Sequence, residues 1–128
     1  MHENQIADGV VDAAFRVHRH FGPGLLESAY EACLAPKLMS NGFKVERQVV
    51  LPLVYQDVKL DAGFRLDLWV ERKVIIEVKA VAELHSVHMA QMLTYLKLTE
   101  NRLGSIINFH RALLKDGMRR VVNNLQPG

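Results

Sequence analysis

The chain predicts a layered α/β or α+β domain with a mixed sheet, and three features of its pattern carry that expectation. Apolar residues recur at helical spacing through the first forty positions. Short β-branched stretches follow from Val45, some alternating and some continuous. A helical stretch then returns between strands before the chain ends.

Ile6, Val10, Ala13, Ala14 and Val17 share one helical face and predict a first helix from about Asn4 to His20. Phe21-Gly22-Pro23-Gly24 breaks it. A second helix should start near Leu25 and run towards Asn41-Gly42, with Pro36 expected to kink or shorten it. Val45 to Tyr55 supplies one or two strands before a possible turn at Gln56-Asp57. Phe64 to Val70 alternates, and Val74 to Val81 is a short apolar run. Leu84 to Leu98 returns to helix, Leu103 to Phe109 reads as a strand, and Leu113 to Val122 adds a last one around Asp116-Gly117.

With 128 residues there is room for one domain, spanning 1–128, and for a core that needs neither disulfide nor structural metal. Hydrophobic residues at 49% and charged residues at 23% argue against wholesale disorder. Sixteen Lys and Arg against fourteen Asp and Glu leave a net charge of only +2, too little to hold duplex nucleic acid by bulk electrostatics. A nucleic-acid enzyme with a local basic groove is still compatible. Arg65, Arg72, Lys73, Arg102, Arg111, Arg119 and Arg120 would line such a groove or form a solvated surface. Cys33, the single cysteine, reads as a buried inert thiol within the second helix. No apolar run reaches the roughly 18 residues of a membrane span, so a cytoplasmic protein without membrane contact is expected.

The stretch from Phe64 to Lys79 carries the chemistry. Alternation places Phe64, Leu66, Leu68 and Val70 on one face of a strand, with Arg65, Asp67 and Trp69 on the other. A turn centred on Arg72 sets Val70 opposite Val74, Leu68 opposite Ile76 and Asp67 opposite Glu77, with Arg65 opposite Lys79. Facing carboxylates about 5 Å apart repel unless a proton or cation intervenes. A hard divalent cation such as Mg²⁺ resolves the conflict, and Lys79 on the same face would then assist attack by water on a phosphodiester. The same residues also suit a solvated face, with Asp67 paired diagonally to Lys79 and Glu77 to Arg65. Trp69 and Ile75 on that face argue for cover by another element.

Two helices bear on this site. Glu27 falls one turn into the second helix, where an acidic residue also simply favours the helix dipole. In the third helix His85, His88, Gln91 and Tyr95 fall within an arc of about 120°. They suit a semi-buried polar cluster, or, through the two histidines, a transition metal. His18 and His20 read as surface or cap residues.

Taken together these motifs resemble a known group. Asp67 followed by Glu77-Val78-Lys79 is similar to the PD-(D/E)XK nuclease signature, and Gln91 to Tyr95 resembles the QxxxY element of its RecB-like branch. Gly24-Leu25-Leu26-Glu27-Ser28-Ala29-Tyr30 matches the pattern that names the GxxExxY family of that superfamily. The resemblance runs from about Ala14 to Phe109. It implies a restriction-endonuclease-like three-layer fold, a mixed central β-sheet flanked by helices. It also implies metal ligands at Asp67 and Glu77, a further acidic ligand or accessory at Glu27, a catalytic lysine at Lys79, and Gln91 and Tyr95 supporting the same centre. Leu66 stands where the superfamily name has proline.

The leading expectation is a Mg²⁺-dependent nuclease, with Mn²⁺ as possible substitute, acting on DNA ahead of RNA. The alternative is a non-catalytic binding or assembly module that keeps the fold, as a homodimer or as a subunit of a larger nucleic-acid-processing complex.

Overall fold

The computed structural model describes residues 1–128, apart from the side chains of residues 61 and 62. Two helices come first, α1 (Glu3–Phe21) and α2 (Glu27–Ser40). Strands β1 (Val45–Tyr55), β2 (Val58–Val70) and β3 (Val74–Lys79) follow. Helix α3 (Ser86–Thr99) leads to β4 (Leu103–Asn108), a 3₁₀ turn (Leu114–Gly117) and β5 (Met118–Val122). The strands lie in the order β1-β2-β3-β4-β5, antiparallel except for β3 and β4. A parallel pair needs a crossover, and α3 supplies it.

The sheet separates two cores. On one side Ile6, Val10, Val17, Leu34 and Leu38 of α1 and α2 pack against Leu68, Val70, Val74, Ile76 and Val78. On the other, Met92 and Leu96 of α3 pack against Leu66, Trp69, Ile75 and Ile106. Both faces of β3 are covered, so its apolar run is continuous, with Val74 to Val78 all buried. The cover anticipated over Trp69 and Ile75 is α3. Trp69 Nε1 donates to Asn101 Oδ1 at 2.8 Å just beyond that helix, satisfying the indole.

Gly22 ends α1 with φ of 73°, a left-handed backbone that glycine adopts without Cβ strain. The β1–β2 turn falls at Gln56-Asp57, as expected, and both residues have positive φ. The β2–β3 turn does the same at Glu71 and Arg72. There Arg72 is held by a two-point ion pair to Glu46, at 2.8 and 2.9 Å, and lies over Trp69.

Several expectations are corrected. α2 runs through Pro36 to Ser40 without ending there; Ala35 and Leu38 on either side are buried in the core, and that packing outweighs the missing N–H. Cys33 is half-buried rather than fully buried. His18 is not a surface residue: it is 8% exposed, and its Nε2 bonds the Arg111 carbonyl at 2.8 Å. The stretch before β5 is a 3₁₀ turn rather than strand. No described helix is long and apolar enough to cross a membrane.

Candidate active site

The backbone pairing of β2 with β3 runs through Val70–Val74, Trp69–Ile75 and Leu68–Ile76, the anticipated register. One residue further, side chains take over. The Asp67 N–H donates to Glu77 Oε2 at 3.0 Å, and the Val78 N–H donates to Asp67 Oδ2 at 2.9 Å. Each carboxylate thus spends one oxygen on the opposite strand's backbone, which fixes both side chains. No further protein hydrogen bond is made to the second oxygen of either acid among the described residues.

The strand is not the regular ribbon that alternation predicts. Leu66 lies in the α3-side core and Leu68 in the core under α1 and α2, although strict alternation puts both on one face. The switch falls at Asp67. On the neighbouring strand Gln48 has φ of 49°, between the paired positions Arg47–Leu68 and Val49–Leu66. The break in alternation at Asp67 thus coincides with the positive φ of Gln48, while the β1–β2 register is kept across it and shifts only between Leu51 and Leu53.

Glu77 is only 6% exposed. Burial, and then the negative charge of Asp67, push its carboxyl up to about 8, while Lys79 pulls in the opposite direction. The ion pairs among the described residues are Asp12–Arg16, Glu31–Arg47 and Glu46–Arg72, and none includes either acid. The diagonal pairing expected of a solvated face is thus not formed. A buried acid beside a second, half-buried one, with no cation paired to either, is the condition that a divalent ion or a proton relieves.

Glu27 comes to the same end of β3 from the first turn of α2, where its Oε2 accepts from the Ala80 N–H at 2.9 Å. The loop before it is held by Tyr30, which is fully buried and stacks on Phe109 with ring centroids 4.3 Å apart. The Tyr30 hydroxyl donates to the Gly22 carbonyl and accepts from the Leu25 N–H at 3.0 Å. The tyrosine of the Gly24-to-Tyr30 motif is therefore a strut that sets where Glu27 begins its helix. Tyr30→Phe is expected to cost roughly 1–2 kcal/mol in urea unfolding, through the stranded Gly22 carbonyl and Leu25 amide.

A cleft of about 670 Å³ opens beside these groups, and its walls include Glu27, Glu31, Arg65, Asp67 and His110. Among the described residues no three His, Cys, Asp or Glu side chains converge on one point suited to a metal. Glu27 shares the cleft with Asp67 but does not complete such a cluster. Lys79, at the end of β3, is half-buried and near enough to Glu77 to act on its carboxyl. Tyr95 is half-buried on α3, stacked on Phe64 at 5.1 Å. Burial, then Glu77 and Asp67, raise the Tyr95 hydroxyl above its ordinary range, so it keeps its proton at neutral pH. Gln91 is exposed, one turn earlier on that helix.

Residues 4–121 match the family model of the PD-(D/E)XK nuclease superfamily. The chain belongs to that superfamily. No curated protein and no solved structure matches it. The three-layer arrangement with a mixed sheet is consistent with the restriction-endonuclease-like fold that membership implies. At the position of the superfamily's proline, Leu66 is fully buried against α3, so the departure adds to a core and removes no polar group.

Within this PD-(D/E)XK domain the two histidines at the start of α3 are joined by a hydrogen bond that caps the helix. His85 is the N-cap residue, and its N–H donates to His88 Nδ1 at 2.9 Å, a capping arrangement that occupies that nitrogen. Three cleft residues escaped the sequence reading. Glu31 lies one helical turn beyond Glu27 and is 5% exposed, clamped by Arg47 at 3.1 Å and by Gln48. Its i+4 spacing from Glu27 was a usable signal. Gln48 and His110 carried none, since distant segments bring them to the cleft.

Proposed function

We propose that this chain is a divalent-metal-dependent nuclease of the GxxExxY type that hydrolyses nucleic-acid phosphodiester bonds, with DNA ahead of RNA as substrate. The observation that carries the reading is the Asp67–Glu77 pair, half-buried at Asp67 and buried at Glu77. It sits where the β2–β3 ladder ends, Asp67 lines an open cleft, and among the described residues neither acid is in an ion pair.

The donor set suits Mg²⁺ or Mn²⁺. Both acids offer hard oxygen ligands, each has one oxygen spent on backbone and one left over, and no cysteine or free histidine pair competes. A bound divalent cation supplies positive charge to the pair and Lewis acidity towards a phosphate oxygen. Asp67 and Glu77 hold it, and Glu27, anchored on Ala80, stands at the cleft wall as an accessory acid. Lys79 assists the attack of water and stabilises the charge that develops on phosphorus-bound oxygen. Tyr95 keeps its proton and supports the acids as a donor, with Gln91 one turn away reaching towards the substrate. Arg65, exposed in the cleft wall, contributes the positive charge that an otherwise acidic cleft needs to admit a phosphate backbone.

The test is cleavage of single- and double-stranded DNA and RNA in Mg²⁺ or Mn²⁺, comparing wild type with Lys79→Ala. The variant should lose about 100-fold or more in rate while binding the metal as before, because lysine is no ligand. Tight metal binding with no cleavage of any substrate would favour the assembly-module reading instead.

A further inference from the structure

The cleft has a histidine that the acid–lysine set does not use. His110 follows Phe109 at the end of β4, is exposed, and lines the cleft together with Glu27 and Asp67. Its position is built rather than incidental. Asn108, only 1% exposed, accepts from both the Val81 N–H at 3.0 Å and the His110 N–H at 3.2 Å. It also donates to the Val81 carbonyl at 2.8 Å. The Phe109 N–H donates to the Lys79 carbonyl at 2.9 Å, so the chain just before His110 is tied to the end of β3. On the other side the His110 Nδ1 meets the Pro23 carbonyl at 3.2 Å, in the loop that Tyr30 holds. A carbonyl only accepts, so Nδ1 carries the proton and Nε2 is the nitrogen left to a ligand. Two buried polar devices, Asn108 and Tyr30, thus place one exposed imidazole in the cleft with a defined free nitrogen.

We propose that His110 is a catalytic residue, the proton donor to the leaving oxygen of the phosphodiester. The proposal rests on the nuclease reading of the cleft. In the step, a water oxygen forms a bond to phosphorus and gives up a proton to solvent. The bond from phosphorus to the sugar oxygen breaks, and its electron pair stays on that oxygen. The oxygen takes the proton from Nε2–H of the charged imidazole. His110 is left neutral, its Nδ1–H still on the Pro23 carbonyl, and regains a proton from solvent. The products are a phosphomonoester and an alcohol. A sugar alkoxide is a strong base and a poor leaving group, so this proton transfer has the most to offer where the substrate is ordinary nucleic acid.

That dependence gives a test that a structural role would not pass. His110→Asn keeps an amide N–H in the place of Nδ1–H and removes Nε2; His110→Gln keeps a donor near Nε2 that gives up no proton. Wild type and both variants are assayed with Mn²⁺ on an oligonucleotide and on a p-nitrophenyl phosphodiester, whose weakly basic leaving group needs no proton. Manganese binding is followed by calorimetry alongside. Both variants should lose about 100-fold on the oligonucleotide, keep the p-nitrophenyl ester within a few-fold, and bind manganese as wild type does. Equal losses on the two substrates, or wild-type rates on the oligonucleotide, would overturn the role of His110 alone. A wild-type protein inert on both substrates would overturn the nuclease reading and this proposal with it.

Discussion

Glu77→Gln is expected to stabilise the metal-free protein increasingly as pH rises from 5 to 9, and to remove the stabilisation by divalent cations that the proposed metal site predicts. The native carboxyl titrates at about 8 against an ordinary value of 4.5, chiefly because it is buried and secondarily because Asp67 is beside it. Between those values the native state holds a proton that the unfolded chain has lost, so stability falls as pH rises through this window. Below about 4.5 both states are protonated and the group contributes no difference. Above about 8 both are ionised, and the full penalty of the buried charge is present. Glutamine has no such titration and still accepts the Asp67 N–H through its amide oxygen. The gap in unfolding free energy should therefore open with pH and level off above 8, where native and unfolded chains are both ionised. Urea unfolding of both proteins from pH 5 to 9 measures it. Adding Mg²⁺ or Mn²⁺ at pH 8 should raise the midpoint of wild type and not of the variant, because a ligand that binds only the folded state stabilises it by mass action. A gap that stays constant with pH would sink the buried-acid account.

Asp67→Asn is expected to abolish metal-dependent cleavage while the fold persists. Asparagine keeps an oxygen for the Val78 N–H, the bond that Asp67 Oδ2 makes at 2.9 Å, so the end of the β2–β3 hairpin has no stranded donor. What disappears is the charge. One half of the proposed ligand pair is lost, and calorimetric Mn²⁺ affinity should fall by at least about 100-fold, the upper end of what losing an indirect partner of a metal site costs. Cleavage should fall with it. Removing the Asp67 charge also removes the second of the causes that raise the Glu77 carboxyl, so thermal stability at pH 8 should be unchanged or higher. Cleavage at the wild-type rate by a folded Asp67→Asn protein would remove Asp67 from the site.

How much of this was legible follows from the range over which each force acts. The helices and strands were readable because apolar periodicity is a local consequence of burying one face. Val10, Ala14 and Val17 mark α1, and the run from Val74 to Val78 marks β3. The β2–β3 register was readable too, since a turn at Glu71-Arg72 leaves one pairing that keeps Val70 with Val74. Pro36 does not shorten α2, because packing of the residues around it overrules local propensity. His18 misled because its partner, the Arg111 carbonyl, lies 93 positions away.

The sequence by itself determined the layered α/β class and the placing of Asp67, Glu77 and Lys79 on adjoining strands, through spacings of a few residues or one short hairpin, and the superfamily through the resemblance of its motifs. Only the tertiary structure decided how that set is presented. Strict alternation cannot foresee the break at Asp67, because it arises where two cores on opposite faces claim Leu66 and Leu68. Nor does any local pattern bring Glu27 to Ala80 or His110 to the Pro23 loop. Those contacts join segments 53 and 87 residues apart, and they form only when α2, β3 and β4 have packed around one core.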